Sequence, residues 1–215
     1  MTTPRPTICC ILSILTLASC NIIANDVPRR IVRVKALADP ALRERNPRWD
    51  DEARGLIEAA SDYFENEFGV RFVTQMAAPW PSHEKIPSTA GLLARLKQDF
   101  PLDGRADYDL IVAFTGETVN SYAGGRGRVD RIGDCQRGLG NYVVSYVSKP
   151  FHYTGATSDP SIDVIALIHE LGHIFGAEHT KDTQSIMNEN FDYRSQFDMK
   201  NRNVILSNRF CPFAK

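Results

Sequence analysis

Residues 169–179 read HELGHIFGAEH and hold three of the five histidines of the chain. In a helix, side chains four residues apart project from one face, so His169 and His173 can present their imidazoles to a single ion. His179 adds a third nitrogen once the chain has reversed, and Gly176 offers the left-handed backbone that ends a helix and swings it round. Three imidazoles suit zinc, which takes tetrahedral ligands and, in a catalytic centre, keeps its fourth position for water. Glu170 sits beside the first histidine and can reach that water as general base without ligating the metal. This donor set points to metal-assisted hydrolysis. An ordinary core helix with incidental histidines would not explain so dense a pattern. His83 and His152 stand alone and read as surface or hydrogen-bonding residues.

Such side chains need rigid elements behind them. Asp159-Pro160 is a good helix start, an Asp cap with Pro at the first helical position, and opens an active-site helix over 160–175. Upstream, IVRVKAL (31–37) reads as a strand closed near Asp39-Pro40. Residues 49–68 form an amphipathic helix pattern, with Leu56, Ala60, Tyr63, Phe64 and Phe68 at helical spacing and Gly69 at its end. A strand over Val70–Met76, a proline-rich loop over 78–87 and a shorter helix over Gly91–Phe100 follow. Tyr108–Phe114 has the continuous apolar character of a central strand, and Tyr142–Val147 is another strand. Between them Gly124, Gly125, Gly127, Gly133, Gly138 and Gly140 mark a turn-rich stretch without the context of a nucleotide loop. Arg126, Arg128 and Arg131 in that stretch read as a solvated loop face. The sum is an α+β domain on one twisted mixed sheet, with a backing helix and a small C-terminal subdomain carrying a helix near 197–207.

The chain has 215 residues, of which 43% are hydrophobic, enough for one medium domain and against collagen-like, disordered or polytopic membrane classes. A net charge of -1 and a pI near 6.5 argue against nucleic acid as a partner. Residues 8–18 (ICCILSILTLA) follow a positively charged start and are too short to span a bilayer, as the apolar part of an export signal should be. Leu17-Ala18-Ser19-Cys20 resembles the lipobox of bacterial lipoproteins. That resemblance implies a signal peptide over 1–19, a lipid anchor on Cys20, a short tether over 20–29 and a catalytic domain over 30–215. With Asn21 after the cysteine, it implies the outer membrane. The alternative is an ordinary signal cut near Ala24, releasing a soluble secreted protein. Export would place Cys135 and Cys211 in an oxidising compartment, where pairing is expected over free thiols.

The extended motif, HExxHxxGxxH followed by a methionine turn at Ser185-Ile186-Met187-Asn188, resembles that of the metzincin zinc endopeptidases. Met187 stands eight residues after His179, a gap similar to that of the matrixins. The resemblance implies one zinc ion held by His169, His173 and His179, Glu170 as base and proton shuttle, and Met187 as an apolar floor. It also implies that an edge strand near Tyr142–Val147 aligns a protein or peptide substrate by strand addition. Three departures stand out. Thr180 follows the third histidine, where matrixins usually have Ser, astacins Glu and reprolysins Asp. Glu189 occupies the place where astacins and serralysins put a tyrosine ligand, and nothing assigns that role to the nearby Tyr193. No cysteine-switch propeptide is visible. Calcium needs only carboxylates and carbonyls without a reliable spacing, so the sequence leaves Ca²⁺ open. Two other functions fit the same residues: a surface-displayed lipoprotein that uses the fold for binding, and a zinc hydrolase of a cell-wall amide.

Overall fold

The computed structural model describes residues 29–81, 86–102, 106–117, 125–155, 160–190 and 196–214. The export signal, Cys20 and the tether up to residue 28 lie outside the described residues, as do His83, Gly124, Asp159 and Tyr193.

The first strand, β1 (Arg30–Ala38), starts by alternating, with Ile31 and Arg33 exposed and Val32 and Val34 buried, and becomes fully buried from Ala36. Asp39 ends it by accepting the Leu42 N–H at 2.8 Å, which caps a short helix α1 (Pro40–Arg45) that the sequence pattern had not disclosed. The backing helix α2 (Trp49–Phe68) carries Asp50, Asp51 and Glu52 in its first turn, where the helix dipole favours acids, and closes on Gly69 at φ 67. Next come β2 (Val70–Pro79) and α3 (Thr89–Asp99), capped by Ser88. After them β3 (Leu110–Thr115) is buried at every position. Two strands, β4 (Gly127–Val129) and β5 (Tyr142–Tyr146), precede the long buried helix α4 (Ile162–Ile174), and α5 (Met199–Asn208) follows it.

The sheet order is β2-β1-β3-β5-β4, with every pair parallel except the last. Helices α2 and α4 cover one face and α3 the other, so the α+β class and the backing helix are as expected. Phe64 of α2 ties this packing together. Its ring centroid lies 5.3 Å from Phe72 of β2, 5.9 Å from Phe175 at the end of α4 and 6.2 Å from Phe197 before α5. Its complete burial is worth about 1.5–3 kcal/mol and fixes α4 on the sheet.

Two expectations are corrected. The strand at Tyr142–Tyr146 is internal, paired on both sides; the edge beside it is β4, inside the glycine-rich stretch read as a loop. Glycines signal turns, but three residues paired antiparallel to a buried strand suffice to extend the sheet. The active-site helix begins at Ile162, capped by the Ser161 side chain, whereas Pro160 lies outside it.

Candidate active site

Helix α4 is buried from Asp163 to Ile174, and both its ends are tied to neighbouring segments. In its first turn Asp163 accepts the Ser148 N–H and hydroxyl, both at 2.9 Å, and pairs with Arg126 just before β4. At the other end the His173 carbonyl accepts from Gly133 N–H at 3.0 Å and from Gly176 N–H at 2.9 Å. Gly176 is left-handed at φ 97, and a Cβ there would lie 2.5 Å from the Asn208 amide nitrogen. That Asn208 amide donates to the Phe175 carbonyl at 3.0 Å, so the open carbonyls of the helix end are met from two sides. Cys135 and Cys211 are joined in a disulfide, Cα to Cα 4.9 Å, which links the 133–140 loop to the segment after α5.

The chain reversal brings His179 back against the helix. The Nε2 atoms of His169, His173 and His179 stand 3.1 and 3.2 Å apart. Each Nδ1 faces an oxygen: Ile186 O at 2.7 Å for His169, Ala177 O at 2.7 Å for His173, and Glu189 Oε1 at 2.9 Å for His179. Donation from each Nδ1 fixes the tautomer and leaves three bare Nε2 lone pairs converging on one point. Lone pairs at that separation repel one another and call for a cation between them. Tetrahedral zinc with bonds of about 2.0–2.1 Å would place its nitrogens about 3.3–3.4 Å apart, so the donor set fits. Burial, with repulsion from the neighbouring rings, lowers His169 to about 3 and His173 to about 4, which keeps both neutral as ligands must be.

Glu170 points from the same helix to β4. Its carboxyl packs on the Gly127 backbone so closely that a Cβ there would lie 2.5 Å from Cγ and 2.8 Å from Oε1. Burial raises this carboxyl to about 8, with the positive charge of Arg128 acting the other way. A dication at the neighbouring histidines would favour its ionised form. Helix and edge strand enclose a cleft of 560 Å³ whose walls are β4, Arg131, Ile132, the three histidines, Glu170, Glu189 and Asn190.

A family model of the metallo-peptidases of family M12 matches residues 28–212. The chain belongs to that family. The crystal structure of archaemetzincin (amzA) from Methanopyrus kandleri shares its fold with a TM-score of 0.55 and 20% sequence identity, over 85% of this chain and 98% of that one. No curated protein matches the chain by sequence.

In this M12 metallo-peptidase the three histidines come together as the motif suggests and Glu170 lines the same cleft, while His152 is exposed and takes no part in the cluster. Met187 is fully buried, and its sulfur packs where a Cβ on Gly172 would reach it at 3.0 Å. The turn around it does more than fill space, because its Ile186 carbonyl orients His169. Sequence reasoning missed three residues of this metallo-peptidase. Gly127 makes room for Glu170. Arg128 stands at the cleft rim. Asn201 accepts the Glu178 N–H and donates to the Glu178 carbonyl, both at 2.9 Å, and so holds the turn that presents His179. Only the repeated Gly-Arg steps of 125–128 could have hinted at the first two; nothing local marks Asn201.

Proposed function

We propose that this chain is a zinc-dependent endopeptidase exported as a lipoprotein. The observation that carries the peptidase reading is the convergence of three Nε2 atoms, each backed by an Nδ1 hydrogen bond, at the foot of an edge-strand cleft. Zinc held by His169, His173 and His179 would supply Lewis acidity to the attacking water and the scissile carbonyl. Glu170 takes the proton from that water on its carboxylate and hands it to the leaving amine nitrogen. The backbone of β4 aligns an extended peptide along the cleft by strand pairing, a role expected earlier of Tyr142–Val147. Met187 supports the helix behind the ligands. The matrixin-like gap between His179 and Met187 is consistent with this arrangement of turn and ligands.

The test compares two variants by metal content and turnover. Proteolysis of casein should vanish on chelation and return with zinc. Glu170→Ala should keep its zinc and its fold yet lose at least about 10²–10⁴-fold in activity, since a base and not a ligand is gone. His173→Ala should lose the metal itself. Near-full proteolysis by Glu170→Ala would end this mechanism. Cleavage of purified peptidoglycan but not of protein would favour the cell-wall amide instead, and zinc binding without any hydrolysis would favour a binding role. For export, Cys20→Ala should leave the protein unprocessed or outside the membrane fraction. Unchanged fractionation of that variant would favour a soluble secreted enzyme.

A further inference from the structure

The outer edge of β4 forms one wall of the cleft, and its register decides what it can read. Arg126 O accepts from Tyr146 N–H at 2.8 Å and Asp130 N–H donates to Tyr142 O at 3.2 Å, with Arg128 opposite Val144 between them. In an antiparallel ladder the backbone groups of every second residue turn to the partner, so 126, 128 and 130 face β5. The N–H and C=O of Gly127 and Val129 therefore face outward, where a peptide would pair. Side chains alternate as well. Gly127 lies against Glu170, and Val129 packs on the core shared with α4, which puts Arg128 on the opposite face of the strand.

Three arginines line this cleft, but their charges are not equally available. Arg126 is paired with the buried Asp163 and lies over the Tyr146 ring, 5.3 Å from its centroid. Arg131 has Asp130 at 3.5 Å. Arg128 is exposed and makes no hydrogen bond or ion pair with any described residue. A peptide strand added to β4 would carry every second side chain on the Arg128 face, at a cross-strand distance of about 4.5–5.5 Å. A carboxylate is the side chain that a free guanidinium at that distance recognises best.

We propose that Arg128 makes the cleft selective for peptides bearing an acidic side chain at the position that lies across from it on β4. The inference rests on the peptidase reading only in placing a peptide in the cleft. Its first readout is therefore binding. Zinc-loaded full-length Glu170→Gln protein is titrated with three fluorescent peptide pools, identical except for Asp, Asn or Lys at one scanned position. At one position the Asp pool should bind roughly threefold to tenfold more tightly than the Asn pool, and the Lys pool more weakly than both. Adding Arg128→Gln should flatten that order, and Arg128→Glu should invert it, with zinc content and thermal midpoint unchanged because the side chain is exposed. The preference should shrink between 0.05 and 0.5 M salt, roughly a threefold shortening of the Debye length. Indifference to the pools before Arg128 is changed, or an acidic preference that survives Arg128→Glu, would overturn the proposal. The chain with Glu170 intact is then given the same pools. Acidic binding with no cleavage would sink the peptidase reading and leave Arg128 in its role; cleavage without acidic preference would do the reverse.

Discussion

At Gly127 the catalytic arrangement has no room for even a methyl group. The side chain of Glu170 occupies the space where a Cβ would go, with three of its atoms within 2.5–2.9 Å. Glu170 is buried and cannot retreat without pulling on α4, and β4 cannot retreat without breaking its pairing with β5. Gly127→Ala should therefore misplace the proposed base, Glu170, by a fraction of an ångström to about one, and turnover should fall roughly 10²-fold. Zinc content should stay at one equivalent of the parent protein, because no ligand or ligand support is touched. Metal analysis beside the turnover number on one peptide checks this, and a fully active Gly127→Ala protein would show that Glu170 does not work from this position. The contrast with His173→Ala separates a residue that places a proton acceptor from one that holds the ion.

The elements divide the work of holding three histidines. Helix α4 supplies two on one face, and their burial keeps them neutral. The third comes from a turn, and turns need outside support. Helix α5 gives it: Asp198 caps the helix by accepting from Asn201 N–H at 3.0 Å, and the Asn201 side chain then grips both backbone groups of Glu178. Asp198 also receives the Ser185 hydroxyl at 2.8 Å, so the same helix start steadies the methionine turn. Asn201→Ala should leave the Glu178 backbone groups short of partners, at a cost of about 1–3 kcal/mol. It should also weaken zinc binding by roughly 10–100-fold, as loss of an outer support does. Competition for zinc against a chelator of known affinity measures the second effect. Unchanged affinity would show that His179 is held by the metal and its Glu189 partner alone.

Among the described residues, the sheet and the Cys135–Cys211 bridge tie the 133–140 loop and the segment after α5 to the rest of the fold. The core on the α2 and α4 side runs without a break from β2 to Ile205 of α5 and Cys211. Cys135 and Cys211 are 76 positions apart, and closing a loop of that length in the unfolded chain is worth about 4 kcal/mol. The bond also secures the loop whose Gly133 N–H meets the His173 carbonyl. Replacing both cysteines by serine should lower the thermal midpoint by roughly 10 °C, at a few degrees per kcal/mol for a chain of this size. Non-reducing peptide mapping should find the two cysteines in one linked fragment. Two thiols that alkylate freely in the undenatured protein would refute the bridge. No described helix is long and apolar enough to cross a membrane.

The sequence by itself determined what could be written in local spacing. Two histidines four apart and a glycine before the third define a donor set because helix pitch and left-handed glycine are properties of a few neighbouring residues. The apolar periodicity of α2 and the unbroken run of β3 were legible for the same reason, and so was the α+β class. Asp39 shows the limit of such reading: it ends a strand as expected, yet the helix that it caps became visible only with the fold. Which strand forms the edge was decided by tertiary pairing, since β4 has only three residues and exists as a strand through its bonds to β5. The contacts of Gly127 with Glu170, of Asn201 with Glu178 and of Arg126 with Asp163 join residues 43, 23 and 37 positions apart. No local pattern encodes them, because what selects each residue is the shape and charge of a partner that only folding brings within reach.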